Sequence, residues 1–200
     1  MSNAVKMAFA GLEEKISSIL HRTLDVVLAW ATKVLATQKK TDFRPKDDTA
    51  MDELFALQTP TCHSLSTFLT KVYSRASAAL EEPSIGYFST EVAAGVRALL
   101  LEHFRKFNVN AAGGLLVSKD VSKYVETMRG WPLGSPVEAG LSNLTEVANL
   151  FVIGPEAIRE RLRAAANASG LEPTMQELRA YVLKREDSGT VAIQAVLNSL

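Results

Sequence analysis

The chain is expected to be all-α, an elongated antiparallel bundle of about seven or eight helices. Three observations predict this. Apolar residues return at steps of three and four through long segments. Those segments are separated by clusters of Gly, Pro and Asn. No alternating apolar and polar runs are bounded by hairpin turns, so strands are not expected. With 200 residues, 47% of them hydrophobic and 22% charged, the composition is that of one globular domain. A chain of this size buries roughly 70% of its unfolded surface, so it needs no disulfide or metal staple.

The first helix is expected over 5–37, with Val5, Phe9, Leu12, Ile16, Ile19, Leu20, Leu24, Val27, Leu28, Ala31, Val34 and Leu35 on its apolar side. A second helical pattern covers 48–79 through Met51, Leu54, Phe55, Leu65, Phe68, Leu69, Val72 and Tyr73. Pro60 should break or kink it at Thr59-Pro60-Thr61, since proline removes a donor and clashes with the preceding turn. A third helix is expected over 85–107, followed by a turn at 108–114 and a fourth helix over 115–129. Gly130-Trp131-Pro132-Leu133-Gly134-Ser135-Pro136 is the strongest break, with one aromatic anchor. A fifth helix then runs to 153, where Gly154-Pro155 closes one helix and opens the next. Further punctuation at 167–173 precedes a helix ending near 187, and Ser188-Gly189-Thr190 caps a short last one.

Charge and composition exclude several functions. Lys plus Arg and Asp plus Glu are both 22, so no net field attracts nucleic acid. The single Cys62 cannot form an intrachain disulfide and reads as a small buried thiol. No apolar window is long enough to span a membrane, and the first residues carry no secretory signal. Ser2-Asn3-Ala4 reads as a remnant of tag cleavage, making 1–4 a scar and 5–200 the domain.

No catalytic, cofactor-binding or metal site is expected. His21, His63 and His103 lack the Glu-x-x-His and His-Glu-x-x-His spacings, and read as surface or interface residues. Asn110 to Gly114 lacks phosphate-loop spacing. Glu156 with Arg159 and Glu160 with Arg163 read as self-paired solvated charges. The stretch QKKTDFRPKD, taken with the following Asp48, sets Lys39, Lys40, Arg44 and Lys46 against Asp42, Asp47 and Asp48, a net +1 that is weak for an anionic membrane. It reads as a helix exit, with lysines on the negative end of the dipole and Pro45 forcing the chain out of the α region. Phe43 is expected to pack this corner against the bundle.

Four ordered segments carry a family resemblance. Lys39-Lys40-Thr41-Asp42-Phe43-Arg44-Pro45-Lys46-Asp47 closely resembles a signature of the C-terminal part of the exocyst Sec-ten family, also called exocyst complex component five. Gly113-Gly114-Leu115-Leu116 with Asp120 and Tyr124, then Asn149 to Ile153 before Pro155-Glu156, and finally Val182 to Asp187 are similar to that family's later segments. They span roughly 20–190, while Gly130 to Gly140 departs from the pattern. The F-box-containing recyclins, of endosomal recycling, share a similar region.

The resemblance implies a C-terminal, rod-type helical-bundle domain of a larger tethering subunit. That subunit would be a noncatalytic scaffold holding secretory vesicles at the plasma membrane before SNARE-mediated fusion, cytoplasmic and peripheral to both membranes. Other exocyst subunits are the implied partners, with small GTPases or SNAREs engaged indirectly and little or no direct membrane binding. A peripheral phosphoinositide-binding module is the competing reading. The signature positions carry no assigned role.

Overall fold

The computed structural model describes residues 3–46, 58–166 and 173–199. Among them are eight α-helices. These are α1 (Asn3–Leu35), α2 (Pro60–Ala79), α3 (Ser84–Phe104), α4 (Ala111–Arg129), α5 (Ser135–Asn149), α6 (Pro155–Ala166), α7 (Met175–Val182) and α8 (Val191–Asn198). A 3-10 turn, Glu186–Gly189, precedes α8. The described residues contain no strand, only an isolated parallel bridge between Val109 and Arg185. The all-α bundle is therefore as expected.

Local chemistry sets the helix starts. Thr59 caps α2, its hydroxyl accepting from the Cys62 N–H, and Pro60 follows at the first helical position. The break expected at Thr59-Pro60-Thr61 is thus a helix start. The upstream part of that pattern, with Met51, Leu54 and Phe55, lies outside the described residues. Thr174 and Glu177 form a reciprocal capping box on α7, and Thr190 caps α8.

Four boundaries differ from expectation. The third helix stops at Phe104 and not at 107, and the helix expected to end near 187 stops at Val182, with the 3-10 turn Glu186–Gly189 beyond it. The fourth helix begins at Ala111, because Asn110 accepts from the Gly113 N–H at 2.8 Å and turns the supposed Asn-Ala-Gly turn into a first helical turn. The fifth ends at Asn149 and not at 153, since the chain there leaves the helix to pack Leu150 and Phe151 into the core.

The first five helices form the larger part of the bundle. α1 lies against α2 and α3, α2 against α4, α3 against α5, and α4 against α5. α6 packs on α7 and α8 to make the smaller part, and one hydrophobic core runs through both. Trp131 anchors the Gly-Pro break by stacking on Tyr73, ring centroids 5.0 Å apart. The expected Glu156–Arg159 pair is present and the expected Glu160–Arg163 pair is not formed, while Arg161 reaches across to Glu146 of α5.

α1 corrects the sequence reading. Its apolar side is expected to pack along the whole length, yet among the residues whose side chains the structure describes, packing against the core begins at Leu20. Leu12, Ile16 and Ile19 are exposed, as are all residues from 12 to 19. This part of α1 extends beyond the bundle.

Candidate functional site

The residues singled out by the sequence converge on the start of α4, where the larger and smaller parts of the bundle meet. The chain leaves α1 at Leu35 and turns through 36–46. Asp42 fastens the turn by accepting from the Lys39 N–H at 3.1 Å and from Gln38 Nε2 at 2.6 Å. Phe43 is fully buried, edge-on to Phe107 at 5.2 Å and tilted against Phe104 at 5.8 Å. It packs the corner as expected.

The backbone beside Phe43 is fixed by Asn110. The Asn110 N–H donates to the Phe43 carbonyl at 3.2 Å, and its side-chain amide donates to the Pro45 carbonyl at 2.9 Å. Gly113 and Gly114 make this approach possible. A Cβ on Gly113 would stand 1.7 Å from the Phe43 carbonyl oxygen, and one on Gly114 would stand 2.5 Å from that of Phe151. Two loops distant in sequence thus lie directly on the backbone of one helical turn.

Arg185 and Val109 attach the smaller part here. The Val109 N–H donates to Lys184 at 2.9 Å, and the Glu186 N–H returns to Val109 at 2.8 Å. Arg185 donates through Nη1 to the Leu150 and Ile153 carbonyls, both at 2.7 Å, and through Nε and Nη2 to Asp187 at 2.8 Å. These bonds hold the Asp187 carboxyl below its usual range. Arg44 pairs with Glu186 across the same junction, but both side chains are about half exposed and contribute little. Arg185→Ala should therefore cost about 2–3 kcal/mol by removing the donor to two carbonyls, whereas Arg44→Ala should cost under about 1 kcal/mol. Urea denaturation of the two variants measures the contrast.

About two turns further along α4, Asp120 is 1% exposed. It accepts from the Thr59 N–H at 3.0 Å and the Thr59 hydroxyl at 2.5 Å, tying the start of α2 to α4. The Cys62 thiol donates to the Asp120 backbone carbonyl at 3.6 Å, and Tyr124 is buried on the same face. Burial pushes the Cys62 thiol up to about 12, which makes it inert at neutral pH, and raises the Tyr124 phenol well above its ordinary value.

Burial also raises Asp120 from its ordinary 3.8 to about 6, against the opposing effect of the Thr59 hydrogen bonds. The folded chain therefore holds this proton more tightly than the unfolded one between those values. The contribution is most favourable below pH 3.8 and is lost as pH rises through about 6. Subtracting the stability profile of Asp120→Asn from that of the wild type should leave a fall on the order of 2–3 kcal/mol from about pH 4 to about pH 7.

His103 departs from the sequence expectation of a surface residue. It is 4% exposed, with its ring 4.8 Å from that of Phe107. Burial, with Lys106 nearby, lowers it to about 4 and keeps the imidazole neutral. His21 and His63 are exposed, His21 meeting the Tyr87 hydroxyl at 3.2 Å. Among the described residues, no three His, Cys, Asp or Glu side chains are grouped to hold a metal ion. No described helix is long and apolar enough to cross a membrane.

Signature residues thus occupy both buried and exposed positions. Phe43, Gly113, Gly114, Asp120 and Tyr124 face inward, whereas Lys39, Lys40 and Thr41 are exposed at the turn with Arg44. Pro45, half-buried, supplies the carbonyl that Asn110 holds. Lys40, Arg44, Lys46, Lys106 and Glu186 rim an open cavity of about 710 Å³ beside the corner.

Sequence reasoning named the segments holding Thr59, Asn110 and Arg185 but gave none of the three a role. The first two had a local signal, a capping residue ahead of a helix start. Arg185 had only its place in the family-like segment 182–187, because its carbonyl acceptors lie over 30 residues away.

Comparison with known proteins supplies the family. The family model described as exocyst complex component Sec10-like, alpha-helical bundle, matches residues 1–197. Exocyst complex component SEC10 of Saccharomyces cerevisiae is 28% identical over 176 residues, covering 88% of this chain and 19% of the yeast protein. SEC10a of Arabidopsis thaliana is 27% identical over 202 residues, covering all of this chain and 22% of the plant protein. Human exocyst complex component 5 is 22% identical over 150 residues, covering 74% of this chain and 21% of the human protein. The chain spans about a fifth of the length of these curated relatives. On the match along nearly its whole length, the chain belongs to the Sec10-like family of exocyst components, in that family's alpha-helical bundle region.

Proposed function

We propose that this chain is the C-terminal helical-bundle domain of a noncatalytic exocyst scaffold subunit. The subunit tethers secretory vesicles to the plasma membrane before SNARE-mediated fusion. The observation carrying this reading is the family match over residues 1–197. The packing agrees with it. Asp120, Cys62, Tyr124 and His103 are buried, and Asp120 and Cys62 bond across the contact between α2 and α4. The subunit's partners are other exocyst subunits, with small GTPases and SNAREs reached through them, and it is cytoplasmic and peripheral at the plasma membrane and secretory vesicles.

Co-purification of the full-length protein tests the proposal. Stoichiometric recovery of other exocyst subunits is the expected result, and failure to recover any of them overturns it.

A second reading, a phosphoinositide-binding module, draws on Lys40, Lys46 and Lys106 around the corner cavity. The Arg44–Glu186 pair offsets one cation of that rim, which ranks this reading below the first. Flotation with vesicles containing phosphoinositide decides it: recruitment lost on reversing Lys40, Lys46 and Lys106 supports it, and no recruitment eliminates it.

A further inference from the structure

α1 carries two apolar stripes, and the bundle uses one. Leu20, Leu24, Val27, Leu28, Ala31, Val34 and Leu35 face the core. A second stripe runs through Leu12, Ile16, Ile19, Thr23, Val26 and Trp30 in steps of four, three, four, three and four. That is a heptad seam, with Ile16, Thr23 and Trp30 at a and Leu12, Ile19 and Val26 at d.

The seam is open to solvent along its length. Exposure is 53% at Leu12, 43% at Ile16, 64% at Ile19, 69% at Val26 and 52% at Trp30, although Trp30 leans on Phe68 at 6.2 Å. From Leu12 to Trp30 it extends about 27 Å at 1.5 Å per residue. Isolated exposed apolar residues are ordinary, but a continuous row in coiled-coil register is an unfilled packing surface.

Flanking charges specify the occupant. On the open side the g positions are Lys15, Arg22 and Ala29, all exposed, with Asp25 the acidic residue on that flank, three residues from Arg22. On the other side the e positions are Glu13, then Leu20 and Val27, which are turned into the bundle. A second copy does not fit this pattern. Parallel pairing would set Lys15 and Arg22 opposite the partner's Leu20 and Val27, and antiparallel pairing would set the cations against each other.

We propose that this stripe docks one amphipathic helix of a partner protein, with a heptad apolar seam and acidic residues along the flank facing Lys15 and Arg22. The proposal rests on the reading of the chain as an assembly subunit and assigns it a surface.

The test uses a synthetic four-heptad helix with Ile at a, Leu at d and Glu at e and g, beside the same peptide with Lys at e and g. Trp30 reports binding, because the other tryptophan, Trp131, is already buried against Tyr73. The Glu-flanked peptide should shift the emission of Trp30 to the blue and bind about tenfold more tightly than the Lys-flanked one. Ile19→Asp should abolish the shift. The pair Lys15→Glu and Arg22→Glu, which removes no apolar contact, should reverse the preference between peptides.

Equal binding of both peptides, no binding of either, or an unchanged preference in the charge-reversed variant would each overturn the proposal. So would sedimentation showing a dimer of this chain that Ile19→Asp disrupts. Failure of these arms while the full-length protein still recovers exocyst subunits removes the docking surface and leaves the proposed function standing.

Discussion

Phe43→Ala should lower the unfolding free energy by about 3–5 kcal/mol, the range for truncating a buried phenylalanine. Phe43 is 0% exposed and meets two further aromatic rings, so its loss opens a cavity beneath the corner. The surroundings have little freedom to collapse into it, because Asn110 holds the backbone at both Phe43 and Pro45. Against the 5–15 kcal/mol typical of a whole domain, this loss is a large fraction. Urea denaturation followed by circular dichroism measures it, and a cost below about 1 kcal/mol would contradict the packing described. Phe43→Leu, which retains much of the apolar volume, should recover a substantial part of the loss.

Gly113→Ala should be comparably severe although it adds a single carbon. Its Cβ would fall 1.7 Å from a backbone oxygen, so no side-chain rotation relieves the clash. The corner must lift off α4, breaking the Asn110 bond to Phe43 and exposing the Phe43 ring. A cost of about 3 kcal/mol or more is expected, at the upper end of the overpacking range. Gly11→Ala is the counterpart: nothing lies within 4 Å of a Cβ there, and helix propensity alone should stabilise the chain by about 0.5–1 kcal/mol. Opposite signs for one chemical change at two helical glycines would identify backbone contact as the cause. Because Gly113→Ala and Phe43→Ala disrupt the same contact, their combined effect should be smaller than the sum.

The two glycines also explain why the corner was only partly legible. In sequence, Gly113-Gly114 looks like a turn, since glycine is unfavourable inside helices. In the folded chain it is the first turn of α4, where the absence of Cβ atoms admits two other backbones. The favourable contacts outweigh the propensity cost. Nothing local reveals this, because the approaching carbonyls belong to Phe43 and Phe151. Arg185 is the same case, a cation whose acceptors are set by tertiary structure.

By itself the sequence determined the described helices, their order and several of their ends. Apolar periodicity and capping act within a few residues, so they can be read locally. It also determined that Phe43 would turn inward at the corner, since a large aromatic beside a proline-broken helix exit has the bundle as its apolar refuge. Only the tertiary structure decided which apolar positions of α1 are spent on the core and which remain free. The stripes through Leu24, Val27 and Ala31 and through Ile16, Ile19 and Val26 have nearly the same period and lie side by side on one helix. A one-dimensional pattern merges them, and they separate only when α2 and α3 cover one and leave the other in water.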